Sequence, residues 1–302
     1  MNILVIGGAG FIGSALARHA LSRGDEVSVW DVKPNQSFEV VRKDIRASSI
    51  IETDLSNFEL VMVFAAVTSQ LEFEHKPVES FDTNVNGLNN VLEACRRSRV
   101  KKVMFASSSA VYGNVRRRMS EKHPFKPNNM YGTSKVIGEY MVNAYGSKGC
   151  FDPLITRFFN TFGVGENDKG AYKSIISIFL EQIAKNSEVV VYGDGKQRRD
   201  FINVRDAARI TYELAMHQTG TFNVGTGRSI SWNEILNCMR ARGLKFTEKY
   251  VPNPVTEYQY FTEADTDKIR ALGLSPQIEV EEGIDELIPY HGLSKMIQVH
   301  SE

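Results

Sequence analysis

The chain has 302 residues, 42% of them hydrophobic, enough to bury a full core as one large or two modest domains. Its 36 basic and 36 acidic residues cancel, which excludes a global field that would draw it to nucleic acid or to an anionic membrane. Three widely spaced cysteines, Cys95, Cys150 and Cys238, exclude a disulfide frame, and no run approaches the length of a membrane span. The apolar opening is interrupted by glycines within six residues, unlike a signal peptide, so a cytoplasmic enzyme is expected.

Ile3-Leu4-Val5-Ile6 is apolar without polar interruption, as suits a strand buried on both faces. It runs into Gly7-Gly8-Ala9-Gly10-Phe11-Ile12-Gly13 and then a helical pattern through Leu21. Gly7, Gly10 and Gly13 offer a tight turn, a bare backbone against a pyrophosphate, and close helix–strand packing. The helix start adds N–H groups and a positive dipole. A second strand, Glu26 to Trp30, ends at Asp31, an acid placed to take both ribose hydroxyls of an adenosine. That favours NAD over NADP, although Lys33 lies close enough to blur the preference.

Further strands are expected near residues 40–42, 60–64, 103–106 and 154–158, and helices near 77–98 and 131–145. The alternation argues for an α/β fold, a doubly wound parallel sheet. Ahead of the strand at 60–64 only Ala47–Thr53 is available, too short for a normal crossover helix, so a reduced loop is expected. No internal repeat or low-complexity linker marks a domain boundary.

Tyr131 and Lys135, four apart on the last of those helices, lie on one face. The lysine charge there favours the phenolate and is expected to lower the tyrosine pKa. A serine from the run Ser107-Ser108-Ser109, brought alongside, could share a proton on a substrate oxygen. The three make a proton-transfer site for a carbinol, which hydride transfer to a dinucleotide requires. His75 and His123 have no metal-ligand company at the right spacing and read as packing or surface residues, so no metal is expected. Arg116-Arg117-Arg118 reads as a solvated loop.

Taken together, these residues resemble the extended short-chain dehydrogenase/reductase family, and within it the nucleotide-sugar epimerases and dehydratases, over nearly the whole chain. Gly7, Gly10, Phe11, Ile12 and Gly13 are similar to its glycine motif. Asp44-Ile45 resembles the segment that contacts adenine, although Ala47 stands where a second acid is common. Phe64-Ala65-Ala66 resembles the strand end beneath the pyrophosphate, with Val63 replacing a frequent histidine. Asn84 resembles the asparagine that braces the central helix. Counting back four from Tyr112, the family pattern places the catalytic hydroxyl on Ser108, with Ser107 and Ser109 as neighbours. The resemblance implies Ser107, Tyr131, Lys135 and Phe158 among the NAD contacts, with Lys135 on the nicotinamide ribose.

It also implies a Rossmann domain over 1–162, to which segment 196–223 returns, and a smaller α/β domain over 163–302 that mainly binds the nucleotide sugar. Arg157-Phe158-Phe159-Asn160 resembles the strand and turn whose asparagine meets the sugar-nucleotide diphosphate. Gly193 to Phe201 is similar to the loop whose final arginine, here Arg199, binds that diphosphate. Arg198 reads as its solvated neighbour. Asn223 to Gly227 looks like a turn with structural glycines, and Asp265 resembles a later nucleotide contact. A homodimer through helices 77–98 and 131–145 is implied by analogy.

The activity implied is NAD-dependent epimerisation of a nucleotide-diphosphate sugar. Tyr131 is the base, and a keto-sugar turns in the pocket before reduction from its other face. The 4,6-dehydratases carry an Asp-Glu pair after the catalytic hydroxyl residue, where this chain has Ser109 and Ala110. Dehydration is therefore disfavoured, and a UDP-glucose/UDP-galactose-type 4-epimerase fits best. The alternative is an ADP-heptose 6-epimerase, which Lys169-Gly170 and Tyr258 to Asp265 resemble. Lys169 would be a second base there; as a diphosphate contact it fits the 4-epimerase. A non-catalytic NAD-binding subunit is the third reading, opposed by the presence of Ser108, Tyr131 and Lys135 together.

Overall fold

A computed structural model describes residues 1–166, 173–253 and 259–294. In chain order, β1 Asn2–Ile6, α1 Phe11–Ser22, β2 Glu26–Asp31, β3 Val41–Arg42 and β4 Leu60–Val63 come first. They are followed by α2 Gln70–His75, α3 Pro77–Phe81, α4 Leu88–Arg97, β5 Lys102–Ser108, α5 Met130–Ser147 and β6 Asp152–Phe158. Then come β7 Asn160–Phe162, α6 Ile175–Asn186, β8 Glu188–Tyr192, β9 Arg198–Asn203, α7 Val204–His217 and β10 Gly220–Val224. The remainder is β11 Ser229–Ser231, α8 Trp232–Ala241, β12 Thr247–Val251, α9 Asp267–Arg270 and α10 Val280–Tyr290.

By contacts the chain divides into two compact units, the first comprising residues 1–113, 121–158 and 208–224, the second 114–120, 159–207 and 225–302. The first is built on a seven-stranded sheet of order β10-β6-β5-β4-β1-β2-β3 with every pairing parallel. Strand β1 is central, and Ile3 to Ile6 are at most 1% exposed, which explains an apolar run with no alternation. The strand order reverses between β1 and β4, so the backbones leaving those two strands flank a crevice at their carboxyl ends, where such folds bind dinucleotides. Between β3 and β4 only a single turn of 3-10 helix, Ser48–Ile50, is present, in keeping with the short segment available.

The helix expected over 77–98 is not one helix. It starts as α3 with Pro77 in its first turn, widens to a π-helical stretch over Asp82–Gly87, and resumes as α4. The wide turn has a local reason. The Asn84 amide accepts from Val67 N–H (2.8 Å) and donates to Val67 carbonyl (2.9 Å) and Ser134 hydroxyl (3.0 Å). Ser134 in turn donates to the Tyr131 carbonyl at 2.7 Å, so this asparagine braces the first turn of α5. π-bulges of this kind concentrate at functional sites.

The second unit holds a three-stranded sheet, β11-β9-β7, and a parallel pair, β12-β8. They pack with α6, α8 and α10 around Phe162, Phe179, Trp232, Leu236 and Ile284. Asp200 on β9 is its polar centre. Fully buried, it accepts from the N–H groups of Thr226 (2.8 Å), Gly227 (2.9 Å) and Ala264 (2.9 Å), and from the Thr226 hydroxyl (2.6 Å). Burial pushes its carboxyl pKa up, while these four donors favour the ionised form. Asp200→Ala strands three backbone donors and is expected to destabilise the protein by about 3 kcal/mol or more, read by chemical denaturation. A loss under about 1 kcal/mol would contradict the role given to this carboxylate.

Candidate active site

The site starts at the end of β1. Gly7 has φ +82°, a conformation that glycine adopts without strain, and any Cβ there would strike the backbone of Ala65 at the end of β4. A Cβ at Gly13 would likewise strike the Gly7 carbonyl, so α1 seats directly on the turn. The N-cap of α1 is Gly10, without a side-chain cap, and the next two residues are a buried Phe11 and a half-buried Ile12. The turn thus offers bare backbone N–H groups at the start of a twelve-residue helix. Asp31, at the end of the neighbouring β2, accepts from Ala9 N–H and Lys33 N–H, each at 3.0 Å. Its carboxylate retains acceptor capacity for a ribose diol. The Phe64 and Ala65 N–H groups bond the Ile6 carbonyl at 2.7 and 3.0 Å, fixing the floor of the crevice, and the Phe64 and Phe158 rings lie 6.1 Å apart. This cradle fits a dinucleotide: Gly7 and Gly13 let the turn, the strand ends and α1 pack backbone to backbone, and an acid with acceptor capacity ends the neighbouring strand.

The adenine segment is less open than the resemblance implies. Arg46 beside Asp44 holds its carboxyl below the usual range through a bidentate pair, with the shortest contact 2.5 Å. Ile45 is a core residue against Gly87, and Asn90 donates to its carbonyl at 2.9 Å.

The residues expected to transfer a proton, Ser108, Tyr131 and Lys135, lie where α5 meets β5. Asn129 caps α5 by accepting from Gly132 N–H at 2.7 Å. A Cβ on Gly132 would lie 2.7 Å from the Ala110 carbonyl, so the first turn of α5 lies directly on the 3-10 turn Ser109–Tyr112. Ser108 ends β5, accepts from Ala110 N–H at 3.2 Å and stands beside the Tyr131 phenol. Lys135 is buried, donates to the Ala106 carbonyl at 2.8 Å, and stands 5.9 Å from the centre of the Tyr131 ring.

The titration of the pair differs from the expectation. Burial pushes the Tyr131 phenol up, with only the Ser108 hydrogen bond opposing it, and the lysine does not pull it down. Burial also lowers the Lys135 ammonium to about 8, opposed by the Glu139 charge. Each shift has the sign that desolvation of a charged form dictates. Ser107 points elsewhere: its hydroxyl donates to the buried carboxylate of Glu139 at 2.5 Å, and Arg157 grips that carboxylate at 2.7 and 2.9 Å. Neither Glu139 nor Arg157 stood out in the sequence, although Tyr131, Lys135 and Glu139 form one i, i+4, i+8 row.

In the second unit, the Asn160 amide donates to Thr262 hydroxyl (3.0 Å) and Asp200 carbonyl (3.3 Å). The Arg199 guanidinium, half-buried, donates to the Arg198 carbonyl at 2.9 Å. Arg198, its side chain 38% exposed, pairs with Glu234 at 2.8 Å and donates to Ser229 carbonyl at 2.7 Å. Asp265 lies 3.5 Å from Arg118, and the backbones of Met119 and residues 263–265 are bonded (2.8 and 2.9 Å), so the arginine run is strapped to this segment. Lys169 and Tyr258 lie outside the described residues. Among the described residues, no group of His, Cys, Asp and Glu is placed to hold a metal ion, and no helix is long and apolar enough to cross a membrane.

Residues 3–225 match the model of the NAD dependent epimerase/dehydratase family, and the chain belongs to that family. A putative UDP-glucose 4-epimerase of Methanocaldococcus jannaschii is 32% identical over 298 residues, 95% of this chain and 97% of that protein. The crystal structure of Thermus thermophilus UDP-glucose 4-epimerase in complex with NAD superposes with a TM-score of 0.88 at 29% identity, covering 97% of this chain and all of that one. The ADP-L-glycero-D-manno-heptose-6-epimerase of Helicobacter pylori superposes with a TM-score of 0.82 at 26% identity, covering 96% of each chain. The protein is thus an NAD-dependent enzyme of the epimerase/dehydratase class with a Rossmann-like α/β fold.

The Lys135 shift makes stability depend on pH. An unfolded lysine titrates near 10.5 and the folded one near 8, so burying this ammonium disfavours folding fully below pH 8. Between pH 8 and 10.5 the folded state has lost the proton and the unfolded state has not, so stability rises with pH. Lys135→Met is therefore expected to be more stable than the wild type at pH 7, with the difference shrinking towards pH 10.5. Melting temperatures across that range provide the check, and a constant difference would refute the assignment.

Proposed function

We propose that the protein interconverts the C4 epimers of a UDP-hexose, of the UDP-glucose/UDP-galactose type, through a transient keto-sugar. The observation that best supports this is the constellation of Ser108 beside the Tyr131 phenol with the buried Lys135 one helical turn on, in an NAD-dependent chain. NAD, when bound, supplies the hydride acceptor for oxidation at the carbinol carbon and returns the hydride to the other face.

The chain's own residues handle the proton. Ser108 aligns the sugar hydroxyl, and Tyr131 takes its proton and gives it back. Lys135 has three donors, one of them on the Ala106 carbonyl, leaving others for the nicotinamide ribose. Gly7, Gly10, Phe11, Ile12, Gly13, Asp31, Asp44, Ile45, Phe64, Ala65, Ala66 and Phe158 form the rest of the proposed NAD cradle, which Asn84 and Ser107, their side chains engaged within the protein, support from outside it. In the second unit, Asn160, Arg199 and Asp265 are the proposed diphosphate and nucleotide contacts, with Lys169 beside them; the guanidinium fork of Arg199 suits phosphate oxygens.

Epimerisation needs no acid–base pair beyond this set. Ser109 and Ala110, where dehydratases carry one, are a buried hydroxyl and a methyl group. ADP-heptose epimerisation is the second reading, favoured by the likeness to the Helicobacter pylori enzyme. Incubation with UDP-galactose, UDP-N-acetylhexosamines and ADP-heptose, read as epimer ratios by NMR, separates the two; turnover of ADP-heptose alone would sink the 4-epimerase proposal. With the accepted substrate, Tyr131→Phe is expected to keep NAD bound and to lower kcat by about 10²-fold or more. Near-normal turnover would remove Tyr131 from the chemistry.

We also propose that the protein is a homodimer. On the first unit, Val78 is 77% exposed and lines a depression with Pro77, Phe81, Val85 and Ile137, edged by Glu79, Asp82 and Asn86, and Leu71 on α2 and Tyr140 on α5 are 51% and 62% exposed. An apolar patch of this kind on α2, α3 and α5 suits a second copy. Sedimentation is expected to give the dimer mass, reduced to that of a monomer by Val78→Asp with Tyr140→Glu. A monomeric wild type at micromolar concentration would exclude this.

A further inference from the structure

The proton-transfer residues have a buried foundation that the proposed mechanism does not use. Tyr131, Lys135 and Glu139 recur at four-residue spacing, so the Glu139 carboxylate sits one helical turn beyond the lysine on the same face of α5. It is 1% exposed, and a buried carboxylate is costly unless paired and hydrogen-bonded; this one faces two donor residues. Arg157 of β6, itself 4% exposed, bonds both carboxylate oxygens, Nε to Oε1 at 2.9 Å and Nη2 to Oε2 at 2.7 Å. Ser107 of β5 donates to Oε1 at 2.5 Å.

The guanidinium is fixed in turn. Its Nη1 donates to Tyr112 hydroxyl (2.9 Å) and to Glu121 carbonyl (3.1 Å), and it lies 5.0 Å from the ring centres of Tyr112 and Phe125. Tyr112 donates to the Asn223 side-chain oxygen at 2.6 Å, and Asn223 N–H donates to the Glu121 carboxylate at 2.8 Å. Every polar group in this chain of contacts has a partner, the condition under which a buried network rigidifies a core.

Two links tie the network to the chemistry. Ser107 is the neighbour of Ser108, whose hydroxyl meets the phenol, so the Ser107–Glu139 bond fixes the strand end that presents Ser108. The second link is electrostatic. From its own helix Lys135 faces Tyr131 and Glu139. From β5 it meets the Ala106 carbonyl and the Phe105 ring, 4.9 Å away, and Arg157 of β6 lies behind Glu139. Glu139 is therefore the anion closest along its helix, and it favours the charged form of the lysine against burial.

We propose that Glu139, clamped by Arg157, is a positioning residue of the proton-transfer site: it fixes the β5 terminus through Ser107 and sustains the positive charge of Lys135. This rests on the reading of Tyr131 and Lys135 as the proton-transfer pair, and its first test needs no turnover. In the NAD-bound enzyme with ¹³C-labelled lysine, the titration midpoint of Lys135 is expected to fall by about one pH unit in Glu139→Gln, a tenfold change in its protonation ratio. Glu139→Asp, which keeps the charge, is expected to restore most of that shift. Because Gln leaves Arg157 buried without its anion and can prevent folding, Glu139→Met with Arg157→Met removes both charges together. That double variant is expected to fold and to lower the Lys135 midpoint in the same direction by less, because the arginine cation is removed along with the anion.

The second test is the alkaline limb of kcat/KM, which is expected to move to lower pH with the lysine. Ser107→Ala is expected to lower kcat with KM and the limb unchanged, since it loosens the strand end and leaves the charges alone. An unmoved Lys135 midpoint in both Glu139→Gln and the double variant overturns the proposal. A moved midpoint in an enzyme inactive on every nucleotide sugar supports the role of Glu139 and overturns the epimerase reading instead.

Discussion

The proton-transfer site depends on the closeness of α5 to β5. Helices usually stand off a sheet by the length of their side chains, but here glycine lets the backbone come nearer. A Cβ on Gly132 would sit 2.7 Å from the Ala110 carbonyl, and one on Gly138 would sit 2.5 Å from the Phe105 ring. Only at that separation can the lysine between them reach the Ala106 carbonyl and the carboxylate beyond reach Ser107. The two contacts, one turn apart, register the helix against the strand end. A slip of one residue would turn the Tyr131–Lys135–Glu139 row by about 100° and break all of them.

Holding charge in that interface is unfavourable in itself. Lysine and arginine are almost never fully buried unless paired, and buried ion pairs often contribute less to stability than apolar residues of the same volume. Arg157 and Glu139 answer the first condition with a bidentate pair. Lys135 does not, since its direct partner is a neutral carbonyl, and burial lowers it to about 8. A lysine poised there is poorly designed for folding but well suited to a site that receives ligand oxygens, the pattern expected where perturbed titration marks function. The phenol fits the same account, since burial raises its pKa as it lowers that of the lysine.

Much of this architecture was legible in the residues, and the exceptions share a physical origin. The uninterrupted apolar run of β1 announced a strand buried on both faces, and the glycine spacing with Asp31 announced the turn and the neighbouring strand end. Those signals are local. The expected helix over 77–98 failed because a single side chain, Asn84, finds its partners at Val67 and Ser134, and no periodicity encodes a widened turn that serves such distant contacts. The tyrosine pKa was misjudged for a similar reason: spacing reveals the lysine, whereas desolvation depends on the whole surrounding core. Arg198 and Arg199, adjacent in sequence, point to opposite sides of β9, and only the structure shows that Glu234 takes the first.

The same distinction explains why the chemistry was easier to read than the sugar. Ser108, Tyr131 and Lys135 lie on two adjoining elements, and local spacing fixes their relation. Glu139 belongs to that row as well, yet its meaning appears only once Arg157 arrives from β6, eighteen residues on in the chain. Families that vary their substrates on one fold gain from this separation. The buried row on α5 and its clamp can stay constant, because they handle only a proton and a charge. On the function proposed, loops of the second unit, organised around Asp200, set what is held, while the registration of α5 on β5 is internal to the first unit. An alteration at Ser109 or Ala110 would act differently: those residues form the 3-10 turn whose Ala110 carbonyl faces Gly132, so any change that moved this backbone would be felt directly by the first turn of α5.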